Sequence, residues 1–149
     1  MKIEDLLKTD KMPEAKKLVL NIVVTANHIN EKLAEVLKPF SISSQQFNVL
    51  RILRGQKGKP ANLSTIQERM VSKMSNTTRL VDKLVEKDYC ERIICPSNRR
   101  KVEIRITAPG LELLESLDPI VEKLENDMVN NIEENEIVSI NTYLNELRS

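Results

Sequence analysis

Between Ser64 and Thr107 the spacing of apolar residues changes period twice, and each change marks an element. Thr77, Leu80, Val81 and Leu84 recur at i, i+3, i+4 and i+7, one stripe on a 3.6-residue period. This predicts a helix with Ser72 as its N-cap and Lys73 at the first helical position. Its opposite face carries Lys73, Ser75, Asn76, Arg79 and Lys83. Upstream, Ser64 with Gln67 reads as a capping box for a preceding helix whose Ile66 and Met70 point inward. Downstream, Lys101 to Thr107 alternate polar and apolar, as a half-buried strand does. Tyr89 to Cys95 supply an antiparallel partner, and Leu63 a very short third strand. The connection Pro96-Ser97-Asn98-Arg99-Arg100 is turn chemistry with two Arg at its apex.

The flanking segments are helical by the same test. Residues 1–12 are polar and predict a frayed or short leading helix. A long helix runs from Pro13, at a permitted first-turn position, to Lys38. Ala15, Leu18, Val19, Ile22, Ala26, Ile29 and Leu33 line its apolar face. Ser43 opens a capping box with Gln46, Gly55 closes that helix, and Phe47, Leu50 and Leu53 face a core. Thr107 caps a further helix through Leu111, Leu114, Leu117, Val121 and Leu124, which Pro119 kinks without ending. The last helix, from about Glu133, carries Ile137, Ile140, Leu144 and Leu147. The expected fold is mainly α with a small β-ribbon.

Composition sharpens this picture. Aromatic residues are 3% of the chain and Trp is absent, so aliphatic side chains build the core. Apolar runs are too short for a membrane span, and the charged N-terminus is no signal peptide; a soluble cytoplasmic protein is expected. The net charge of +1 is unevenly spread: residues 51–106 carry 14 Lys/Arg against 6 Asp/Glu, and residues 107–149 carry 2 against 10. Basic charge thus gathers on the segment with a groove-sized helix and an arginine-tipped ribbon, which points to double-stranded DNA. One His and three Gly leave neither a His-based metal cluster nor a Gly-rich phosphate loop, so no enzyme activity, metal or cofactor is expected. Cys90 and Cys95 lack further zinc ligands; Cys90 is expected to be a buried apolar thiol, and Cys95 to be more exposed.

Two motifs resemble those of the MarR family of bacterial winged helix-turn-helix transcription regulators. Ser75-Asn76-Thr77-Thr78-Arg79-Leu80-Val81-Asp82-Lys83-Leu84 matches the family's recognition-helix pattern "s-t-v-t-R-L-v-d-x-L". Asn98 through Gly110 matches the wing pattern "D-x-R-x-x-x-V-x-L-T-x-x-G". Two positions depart: Asn98 stands where the family usually has Asp, and Asp88 where a Gly usually ends the recognition helix. The resemblance implies one MarR-like domain over 1–149. Residues 43–107 would be its winged helix-turn-helix, and 1–38 and 109–149 its dimerisation helices.

The expected function is a sequence-specific regulator, a repressor, acting as a homodimer on a pseudo-palindromic operator. Lys73, Ser75, Asn76, Thr78 and Arg79 are assigned to the major groove. Asn98, Arg99, Arg100 and Lys101 are assigned to the wing and minor groove, and Ser64 and Thr65 to phosphates. The resemblance further implies release by a small aromatic or phenolic effector, with His28, Phe47 and Arg51 as candidate pocket residues. Two other readings stand beside this one: a helix-turn-helix protein-interaction module (an antirepressor), and a thiol-based redox sensor.

Overall fold

The computed structural model describes the backbone of all 149 residues and every side chain except those of Cys95 and Arg99. The chain falls into two compact units, Met1–Ser44 and Gln45–Ser149.

In the first unit, α1 (Ile3–Leu7) is followed by α2 (Glu14–Leu37) and a single 3-10 turn at Lys38–Phe40. The leading residues are therefore helical; Ile3 is buried and Lys8 closes the helix in the left-handed conformation. Lys17 Nζ meets Glu4 Oε1 at 2.7 Å, tying α2 to α1. That hydrogen bond holds the Glu4 carboxyl below the usual carboxylate range and pushes the Lys17 ammonium up. Pro13, expected at the first turn, instead stands one residue outside α2 as its N-cap, with ψ 144° in the extended range. Leu37 is the buried residue of α2; Leu18, Val19, Val23 and Ile29 remain exposed.

The second unit holds α3 (Ser44–Gly55), which begins at the unit boundary, β1 (Ala61–Asn62), α4 (Leu63–Arg69) and α5 (Thr77–Glu86). It continues with β2 (Cys90–Cys95), β3 (Asn98–Ile106), α6 (Ala108–Val129) and α7 (Glu134–Leu147). The three strands form an antiparallel sheet in the order β1-β3-β2. Ala61 pairs with Ile104 and Cys90 with Ile106. The third strand therefore lies at Ala61–Asn62, and Leu63, expected to form it, opens α4 instead. A two-residue strand has no periodicity of its own and is set by its partner. Leu50, Leu53, Ile66, Met70, Val81, Leu84, Ile104, Leu114 and Leu117 are almost wholly inaccessible and form the aliphatic core. Each such side chain contributes about 1.5–3 kcal/mol by burial.

Four helix ends test the cap assignments. Thr107 caps α6 as expected, its Oγ1 accepting from Gly110 N at 3.2 Å. Glu133 caps α7 in a capping box with Glu136. The other two caps move. Asn62, rather than Ser64, caps α4 by accepting from Thr65 N at 2.7 Å. Asn76, rather than Ser72, caps α5 by accepting from Arg79 N at 3.2 Å. In both cases an amide oxygen on a short side chain outcompetes a nearby hydroxyl. Pro119 sits inside α6 without ending it; burial of Leu114, Leu117 and Val121 on either side outweighs the single backbone bond lost.

Candidate nucleic-acid interface

Moving the α5 N-terminus to Thr77 changes which residues ride on that helix. Thr77, Val81 and Leu84 are buried and Leu80 is half-buried, so the predicted inward stripe is confirmed. Thr78, Arg79 and Lys83 are exposed on the other side. Lys73 and Ser75, expected on the helix, instead belong to the turn that precedes it.

That turn is held by side chains. Gln67 Nε2 donates to Lys73 O at 2.7 Å, and its Oε1 accepts from the Thr77 hydroxyl. Lys73 Nζ folds back onto the Glu68 carbonyl, a favourable place for a cation because helix C-termini carry partial negative charge. Val71 N donates to Asn48 Oδ1 at 2.9 Å, fastening the turn to α3, and Ser75 N donates to Ser72 O at 3.2 Å. No periodicity argument finds Gln67 or Asn48, since their partners lie across a turn or on another helix. Of the phosphate candidates, Thr65 spends its amide on the Asn62 cap, while Ser64 is exposed on α4.

At the far end of α5, Asp88 adopts φ 63°, the left-handed conformation for which the motif prefers Gly. Tyr89 N donates to Leu84 O at 3.0 Å, and Asp88 N to Val85 O at the same distance. The Thr107 hydroxyl donates to Asp88 O at 2.6 Å, and Thr107 N to Tyr89 O at 3.1 Å. Gly110 packs against this point so closely that a Cβ would strike the Tyr89 carbonyl and come within 2.8 Å of Ile106 Cγ1. The Gly that ends the wing motif is thus required by close approach rather than by φ.

The ribbon reverses over Pro96–Ser97, so Asn98, Arg99 and Arg100 belong to β3 rather than to the loop. Its register jumps from Ile94 opposite Val102 to Cys95 opposite Asn98, leaving Arg99, Arg100 and Lys101 in a bulge on the longer strand. Asn98 Oδ1 accepts from Arg100 N at 3.1 Å, so the amide orders the backbone of the basic tip. Arg100 is exposed and Lys101 lies 3.3 Å from Glu103. The Arg99 side chain, assigned to the minor groove, lies outside the described residues, as does that of Cys95. Arg92 on β2 pairs with Asp82 on α5, linking helix to ribbon.

Cys90 is 1% exposed, its Sγ is 3.9 Å from Val81 O, and burial pushes its thiol up to about 12. It is the inert apolar thiol expected of it. Phe47 and Arg51 line a cavity of about 270 Å³ with Asp118, Val121, Glu122 and Glu125. The Arg51 guanidinium lies 5.6 Å from the Phe47 ring centre, and Arg54 meets Asp118 through two bonds of 2.7 and 3.1 Å. His28, the third pocket candidate, is exposed on α2 in the first unit. Among the described residues there is no group of three or more His, Cys, Asp or Glu able to hold a metal, and no helix long and apolar enough to cross a membrane.

Residues 42–102 match the MarR family. That stretch, from α3 into β3, is what the chain shares with the family. The multiple antibiotic resistance protein MarR of Escherichia coli strain K12 is 27% identical over 123 residues, covering 78% of this chain and 83% of the relative. A cysteine-to-serine mutant of E. coli MarR, solved in complex with operator DNA, superposes with a TM-score of 0.78 at 23% identity, over 93% of this chain and 99% of that one. BpsR of Bordetella bronchiseptica, whose DNA binding is regulated by 6-hydroxynicotinic acid, superposes at 0.80 and 17% identity, over 94% and 99%. MarR-family proteins are transcription regulators rather than enzymes, and this chain is similar to them over that stretch.

Proposed function

We propose that the protein is a homodimeric repressor that reads a pseudo-palindromic operator with α5 in the major groove and the ribbon tip over the minor groove. The observation that carries this reading is the division of α5: Thr77, Val81 and Leu84 are spent on the core, while Thr78, Arg79 and Lys83 face out. Arg79 suits guanine or a phosphate, Thr78 a phosphate, and the amide hydrogens of Asn76 suit a base edge. Lys73 and Ser75 lie on the preceding turn, where the Lys73 ammonium is held by the Glu68 carbonyl and the Ser75 hydroxyl is buried, while Ser64 offers a hydroxyl to the DNA backbone. Asn98, Arg99, Arg100 and Lys101 form the basic tip, suited to a narrow, A·T-rich minor groove.

The dimer is supported by uncovered apolar surface on both units, notably Leu18, Val19 and Val23 on α2 and Val138, Ile140 and Tyr143 on α7. A second copy covers such faces and places two reading heads about one helical turn apart. For effector control, Phe47 and Arg51 share their cavity with Asp118, Glu122 and Glu125, a lining that suits a small phenolic ligand donating its hydroxyl to a carboxylate better than an aromatic acid.

The test is gel retardation of duplexes selected from a random pool, over a series of salt concentrations. Retention is expected to fall steeply with salt, and Arg100→Ala to weaken binding by about 1–3 kcal/mol. Unchanged affinity and salt slope for that variant would remove the ribbon tip from the reading. A protein that retards no duplex even at low salt, yet captures another regulator, would be an antirepressor.

A further inference from the structure

Val71 and Met74 lie on the turn between α4 and α5 and are 89% and 95% exposed. Scattered surface apolar residues are ordinary, but the setting of these two is not. The polar groups around them are largely committed within the turn. Lys73 is folded onto the Glu68 carbonyl, Gln67 is bonded at both ends of its amide, and the Asn76 oxygen caps α5. These bonds hold the turn together, and Val71 and Met74 are left almost fully exposed on it.

Base edges in the major groove offer one apolar group, the C5-methyl of thymine. Methionine, long and polarisable, adapts to such a contact. The surrounding charge selects the same occupant: Arg69, Lys73 and Arg79 flank the pair and would repel a second copy of this tip while attracting a polyanion. We propose that Met74, with Val71 beside it, reads thymine in each half-site by apolar contact with the C5-methyl group. The proposal rests on the DNA-binding reading above and deepens it by naming a base.

The experiment uses the full-length protein and the best duplex selected from a random pool, resynthesised with deoxyuridine replacing each thymine in turn. Deoxyuridine differs only by the missing methyl. At one position per half-site the wild type is expected to lose about four-fold in affinity, the worth of one buried methyl. Met74→Ala loses a similar factor on the thymine duplex and shows no further loss on deoxyuridine there, whereas Met74→Leu keeps the wild-type discrimination. Equal deoxyuridine penalties for wild type and Met74→Ala at every position would overturn the proposal, as would no penalty at all in the wild type. Dissociation of the free protein by Met74→Ala in sedimentation, without any change in thymine discrimination, would assign the residue to self-association and also overturn it. Failure of the wild type to retard any duplex would sink the DNA-binding reading itself, a result recognisable before any variant is made.

Discussion

Helices α5 and α7 are both amphipathic, yet they use their apolar faces in opposite ways. On α5 the stripe of Thr77, Val81 and Leu84 is buried within its own unit, and the exposed side is polar and cationic. On α7 no residue is buried; Val138, Ile140, Tyr143 and Leu147 are between 43% and 65% exposed. The first helix is completed by its own chain and can offer its far side to a ligand. The second retains an apolar face that only another surface can cover. Sequence periodicity alone cannot tell these cases apart, because it reports that a face exists and not what meets it.

Substitutions on the two helices separate them. Leu84→Ala removes a fully buried side chain from α5 and is expected to cost about 2–5 kcal/mol, read as a lowered urea midpoint. If that loss disappeared at high protein concentration, α5 too would depend on a partner. Ile140→Glu on α7 places a charge on the uncovered face and is expected to weaken self-association by about 2–3 kcal/mol, the scale of burying a polar group unpaired. Sedimentation at micromolar concentration should then give the mass of one chain, and an unchanged mass would leave α7 without a role in assembly.

A smaller effect is expected from Asn76→Ala, which removes the α5 cap and costs about 1 kcal/mol, with DNA affinity falling alongside as the first turn frays. The mildest test concerns Cys90. With its thiol pushed up to about 12, the folded chain keeps the neutral form while the unfolded chain ionises near the usual 9, so this group lowers stability as pH rises above that value. Iodoacetamide at mildly alkaline pH should leave Cys90 unmodified until the protein is unfolded, as peptide mass mapping would report. Rapid native modification of Cys90 would revive a thiol-sensing role.

Most of the architecture is legible in the spacing of apolar residues: the helices around Leu18, Phe47, Leu84, Leu114 and Ile140, and the ribbon from Cys90 to Ile106. Helix ends are less so. From Ser72 to Asn76 three residues can cap, and only the bonds of Gln67 and Arg79 decide among them. Strand β1 exists because Ala61 finds Ile104, more than forty positions away. The ribbon is legible as a hairpin, but its bulge at Arg99–Lys101 reflects a register jump that alternation does not record. Thr78 and Arg79 do lie on the outward side of α5, whereas Lys73 and Ser75 move to the turn with the cap. The exposed Met74 carries no signal, since a lone Met beside a helix reads as core.

The junction of Asp88, Tyr89, Thr107 and Gly110 has a mechanical corollary. Two hydrogen bonds and one sterically closed approach fasten the exit of one helix, the root of the hairpin and the entrance of the next into a single joint. A shift at the first turn of Ala108–Val129 therefore bears directly on the root of the hairpin. Even one added methyl at Gly110 would pry that coupling open.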